Sequence, residues 1–107
     1  MDVEELKRRY AAGERDFTGA NLSGVKLINA NLVGINLWGA NLSGANLAKA
    51  NLTRANLSGV KLTEANLRQA RLVNAKLFGA NLSGAYYDCT TRLSRGFDPV
   101  SNSMRQV

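Results

Sequence analysis

The sequence has no histidine, one cysteine and one proline among its 107 residues. Without histidine the chain lacks the commonest general base near neutral pH and the commonest metal ligand together. The single thiol, Cys89, can close neither an internal disulfide nor a zinc cluster, so no covalent or metal staple holds the fold. With no imidazole to activate it, Cys89 reads as a small buried apolar residue and not as a nucleophile. The sequence offers no Ser-His-Asp or Cys-His set, no glycine-rich phosphate loop, and only Glu64 as an acidic residue inside the repetitive region beyond Asp16 at its entry. No catalytic, cofactor-binding or metal-binding residue is therefore assigned, and the chain reads as a non-enzyme. No apolar run approaches the roughly 18 residues of a membrane span, and no apolar signal segment stands near Met1. The expectation is one small domain over residues 1–107, soluble and cytoplasmic, without membrane contact.

What is present is repetition. Residues 39–59, "GANLSGANLAKANLTRANLSG", state one five-residue theme four times. Phe17 takes its central position first, and Leu holds it at every fifth residue from Leu22 to Leu82. Ala, Val or Ile stands two residues before each Leu, from Ala20 to Ala80. In extended chain, residues two apart point the same way, so Ala20 and Leu22 face one side while Asn21 and Ser23 face the other. The next small apolar residue, Val25, falls out of strict alternation, so each pentad must absorb one residue in a corner. Corners of one hand wind the ribbon into a coil lined with Leu and Ala, each turn hydrogen-bonded to the turns above and below. A slower period sets the size of that coil. Gly19, Gly39, Gly59 and Gly79 share one corner column, Gly24, Gly44 and Gly84 a second, and "GANLS" recurs at 19, 39 and 79. Four pentads thus close one turn. At the ~4.8 Å strand spacing the repeats make a rod on the order of 18 Å long.

The chain around the repeats is different. Residues 2–13 read as a short helix, with Asp2 as its cap, Glu4 and Glu5 in its first turn, Val3, Leu6 and Tyr10 on one face, and Gly13 as its stop. The repeats run over 15–87. Residues 88–99 read as a C-terminal cap and 100–107 as a loose tail.

The tandem A-N-L-x-x motif over 15–87 resembles the pentapeptide-repeat family, and "GAYYDCTTRLSRGFDP" is similar to the terminal segment of its small cyanobacterial-type members. The resemblance implies an all-β solenoid, a right-handed quadrilateral β-helix of about four coils, with a capped C-terminal end and here a short N-terminal α-helical cap. Lys26, Lys61, Arg71 and Lys76 depart from the motif by replacing the Asn before Leu, at positions that face water.

Two functional classes follow from the outward positions. Trp38 and Phe78 share one side, two coils apart with Ser58 between them, and large outward rings on a flat wall suit a protein partner. This scaffold or interaction module, monomeric or weakly dimeric, is the preferred reading. The alternative is electrostatic binding of an anionic partner, an acidic protein segment or nucleic acid, through the corner of Lys49, Arg68 and Arg71. A net charge of +6 suits such a partner, but aromatics do not interleave the cations, which argues against reading of a base sequence. Some pentapeptide-repeat proteins protect DNA gyrase by imitating DNA. Here the repeats carry Lys26, Lys49, Arg54, Lys61, Arg68, Arg71 and Lys76 against Glu64, and that charge argues against such mimicry.

Overall fold

A computed structural model describes residues 1–107 as a rod of 36 × 22 × 21 Å, its two short dimensions nearly equal. Each residue before a Leu pairs in parallel with its counterpart twenty positions on, from Asp16 with Asn36 to Asn66 with Tyr86. The bonding is that of a parallel ladder: the Leu22 N–H donates to the Asn41 carbonyl at 2.7 Å, and the Asn41 N–H donates to the Ala20 carbonyl at 2.9 Å. Four sides result, named here by their first central residue: the Phe17, Leu22, Leu27 and Leu32 sides. Each side contributes a single bridged residue per turn, because the corner interrupts the extended chain almost at once. Two-residue strands appear only at β1, Tyr86–Tyr87, and β2, Arg105–Gln106, which pair in parallel.

Every corner from Gly19 to Gly84 has positive φ, between 60° and 73°. A bond from the N–H after the corner to the central carbonyl, as from Ala20 to Phe17 at 3.1 Å, closes each as a turn whose third residue must be left-handed. Glycine meets that demand without strain, yet Lys49, Arg54, Glu64 and Gln69 adopt the same backbone, as do Asn29 and Asn74. What holds the non-glycine corners is the ladder itself, since the Lys49 and Arg54 N–H groups donate to the carbonyls of Arg68 and Val73.

The asparagines explain the other half of each pentad. The Asn41 Oδ1 accepts from the Ser43 N–H at 3.0 Å, and every Asn before a Leu, from Asn21 to Asn81, makes the same bond two residues on. This local loop steers the chain into its corner and satisfies an N–H that the ladder leaves free. Asp16 does the same for Thr18.

The core is one column: Phe17 and the central leucines other than Leu77, with Ala30, Ile35, Ala40, Ala45, Ala50, Ala55, Val60, Ala65 and Ala70 between them. Small residues two positions before each Leu let adjacent walls close in, and each buried Leu contributes about 1.5–3 kcal/mol. No polar side chain is buried.

Helix α1, Val3–Ala11, starts at Asp2, whose Oδ1 accepts from the Glu5 N–H at 2.8 Å, and Gly13 follows its end with φ +100°. Leu6 is fully buried, the Arg9 guanidinium lies 4.8 Å from the Phe17 ring, and the Tyr10 hydroxyl donates to the Val33 carbonyl. No helix is long and apolar enough to cross a membrane.

Past Tyr87 the ladder continues with a slip. Arg92 pairs with Arg71, one residue later than the period would place it. The extra residue is taken up at 88–91, where the Asp88 carbonyl accepts from Thr91 and its carboxylate accepts the Gln69 N–H that would otherwise reach a backbone carbonyl. Two expectations fail here. Cys89 is exposed, because it stands twenty residues after Gln69, in a column of corner residues that face solvent. Residues 100–107 are not loose: β2 pairs with β1, Met104 is buried, and the Ser103 carbonyl accepts from Gly84. The extended chain finds free backbone groups on the last turn, so pairing replaces fraying.

Candidate functional site

The pairing of Asn36 with Asn56 and of Asn56 with Lys76 aligns the residues two positions further on, so Trp38, Ser58 and Phe78 form one outward column on the Phe17 side. Trp38 is 55% exposed and Phe78 89%. Trp38 is held at its base, since its N–H donates to Asn36 Oδ1. Phe78 follows Lys76, which cannot make that bond, and its neighbour Leu77 is only partly buried. The column is bordered by glycine corners, Gly39, Gly59 and Gly79, so no side chain stands beside the rings on that flank. Trp38 and Phe78 thus face solvent together, as the sequence suggested.

The cationic corner is assembled differently. The Lys49 N–H donates to the Arg68 carbonyl at 2.9 Å, which sets these two residues on adjacent turns at the edge between the Leu27 and Leu32 sides. The Arg68 Nε donates to Asn66 Oδ1 at 3.3 Å. Arg71 lies on the Leu32 side, bridged to Asn51 below and to Arg92 above. Lys49, Arg68, Arg71 and Arg92 are all exposed, and none is in an ion pair; both ion pairs of the chain belong to Arg9, with Glu5 and Glu14. Sequence reasoning missed Arg92 because the five-residue register ends at Tyr87, and only the pairing shows that the ladder resumes one residue late. Nearby, the carboxyl of Asp88 is held below its ordinary value, chiefly by the Thr90 hydroxyl, with the Thr90 and Gln69 N–H groups adding to it and desolvation opposing. That carboxylate serves the backbone and does not neutralise the arginines.

A concavity lies at the other end of the rod. A cavity of about 290 Å³ opens between α1 and the first turn, lined by Leu6, Tyr10, Ile28, Ala30 and Leu32 with Lys7 at its margin. No group of three or more His, Cys, Asp or Glu residues is arranged to hold a metal ion.

The family model for pentapeptide repeats matches residues 20–59 and 55–86. The chain belongs to the pentapeptide repeat family. Proteins of this family fold as right-handed quadrilateral β-helices and are generally structural or interaction proteins. Among solved structures, this pentapeptide repeat protein is similar to alr5209, a pentapeptide repeat protein from Nostoc PCC 7120, at 34% identity and a TM-score of 0.52, over 99% of this chain and 96% of that one. It is also similar to HetL from Nostoc sp. strain PCC 7120, involved in heterocyst differentiation regulation, at 30% identity and a TM-score of 0.48, covering 88% of this chain and 57% of that one. Rfr23 from Cyanothece 51142 shares 41% identity over 71% of this chain and 45% of its own, with a TM-score of 0.32. Among curated proteins no sequence matches.

Proposed function

We propose that this pentapeptide repeat protein is a non-enzymatic scaffold that binds a protein partner through the Phe17 side, with Trp38 and Phe78 as anchors. In this reading about four coils form the binding rod, α1 caps its N-terminal end, and residues 88–99 cap the other. The observation that carries the reading is the shared exposure of two large rings in one column, on a wall held rigid by backbone pairing above and below. Exposed aromatics on a rigid surface are the residues that most often dominate binding energy. The test is retention of partners from the native cell at about 0.5 M salt, where surface electrostatics are screened. A partner should be held by the wild type and lost in Trp38→Ala with Phe78→Ala. Retention of the same partners by the double variant overturns the reading.

A second reading is favoured by the pairing of Arg71 with Arg92, two uncompensated guanidinium groups on adjacent turns beside Arg68 and Lys49. Such a cluster fits a carboxylate-rich segment or a phosphate chain. Binding would then fade steeply as salt rises and in Arg68→Ala with Arg71→Ala, while the aromatic variant binds normally. Neither reading includes gyrase protection: the chain should leave quinolone-inhibited supercoiling without rescue.

A further inference from the structure

The two ends of the rod differ in their free backbone groups. At the N-terminal end the carbonyls of Lys26, Ile28 and Asn31 accept no hydrogen bond, and the N–H groups of Lys26 and Asn31 donate none. At the C-terminal end the free groups include the N–H groups of Leu77, Gly79 and Leu82 and, on the closing strand, the Gln106 N–H and the Met104 carbonyl. Each side of each turn sends two N–H groups and one carbonyl toward the C-terminal end, and two carbonyls and one N–H toward the other. One end is therefore rich in acceptors and the other in donors. Two like ends brought together would oppose carbonyl to carbonyl or N–H to N–H; unlike ends match.

Both ends are also stepped. Helix α1 lies against the Phe17, Leu22 and Leu32 sides, through Arg9 over Phe17, the Met1 amino group on the Asn21 carbonyl and the Tyr10 hydroxyl on the Val33 carbonyl, and leaves free backbone groups on the edge at Lys26–Asn31. The closing segment covers the Leu27 and Leu32 sides instead, through β2 on β1 and Arg92 on Arg71, and leaves the edge at Ala75–Leu82 largely open. On the Leu27 side, therefore, β2 stands raised at the C-terminal end where the N-terminal end is recessed. The apolar cavity between α1 and Ile28–Leu32 opens beside the uncovered edge, where Ile28 is 47% exposed. The closing segment carries the exposed apolar Val100.

We infer that copies of this chain stack head to tail along the rod axis, the partner of the Lys26–Asn31 edge being β2 of a second copy. The register follows from the ladder within the chain, where Leu22 donates to Asn41 and Asn41 to Ala20. By the same rule the Gln106 N–H of one copy donates to the Lys26 carbonyl of the next, and that Lys26 N–H donates to the Met104 carbonyl. The contact is heterologous, so it grows beyond a dimer unless something blocks an end.

Sedimentation equilibrium over a wide concentration range tests this. The wild type should associate reversibly, its mean mass continuing to rise past that of a dimer. Lys26→Pro and Gln106→Pro each remove an N–H that has no partner within the chain, so each should weaken association by about tenfold or more. Mixed in equal amounts they should form a one-to-one dimer and nothing longer, because each retains one intact end. Should proline lower the melting temperature, Ile28→Lys with Val100→Lys gives the same two-ended test at exposed side chains. A wild type that stays monomeric at every concentration overturns the proposal. So does a single variant that still dimerises fully, since that would mean contact between like ends.

Discussion

Residues 39–45 and 79–85 have the same sequence, Gly-Ala-Asn-Leu-Ser-Gly-Ala, on the same side of the rod, one inside it and one at its last turn. Inside, Ala40 and Leu42 are fully buried and the Leu42 N–H donates to the Lys61 carbonyl. At the last turn Ala80 is only partly buried and the Leu82 N–H has no partner, although Gly84 is rescued by the Ser103 carbonyl. Identical local chemistry thus gives the same backbone in both places, with left-handed corners at Gly39 and Gly79 alike. The energetic return differs because it comes from the neighbouring turn. A repeat here is a shape set by its own residues and a stability supplied by its neighbours.

The largest break in that comparison comes from emptying the core. Leu52→Ala, enclosed on both sides, should cost about 2–5 kcal/mol in urea unfolding, while Leu77→Ala at the partly open turn should cost roughly half as much. Enlarging the small column follows: Ala50→Leu should cost about 1–3 kcal/mol, and Ala80→Leu should be nearly neutral because its site is not closed above. Asn51→Ala leaves the Thr53 N–H without its acceptor and should cost about 1 kcal/mol by the same measurement. Arg54→Gly should instead stabilise by roughly 0.5–1 kcal/mol, since Arg54 holds φ at 60° where glycine is unstrained. An equal or larger loss for Leu77→Ala than for Leu52→Ala would refute the contrast between middle and end.

The smallest effect is one of pH and belongs to the slipped segment. Asp88 titrates below its ordinary 3.8 in the folded chain, first because the Thr90 hydroxyl donates to it. The unfolded chain therefore binds more protons as pH falls through that range, so the stability this carboxylate contributes is present at neutral pH and lost in acid. The advantage of the wild type over Asp88→Asn in thermal melting should accordingly be seen at neutral pH and shrink on acidification. Asp16, lowered first by the Thr18 hydroxyl, should behave in the same way at the other end.

Much of the solenoid was legible because its information is local. The Leu column, the small residues two before it, the corner and the capped helix each depend on a few consecutive residues. The asparagines were equally legible but were read as facing water. Their bond to the N–H two residues on is the reason that Asn, and not merely any polar residue, precedes Leu. The outward alignment of Trp38 and Phe78 was legible because a fixed period carries one to the other without reference to anything else. Arg92 was not found, since its neighbour Arg71 lies a full turn away across a one-residue slip.

By itself, then, the sequence determined the pentad, the twenty-residue turn and the inward column, because every one of these is a preference repeated until it cannot be mistaken. Only the tertiary structure decided that the last residues close the rod as β2, that Arg92 pairs with Arg71 across a one-residue slip, and that the two ends carry opposite sets of free backbone groups. Those outcomes rest on which carbonyl or N–H remains unpaired on the adjacent turn, and no run of neighbouring residues encodes that.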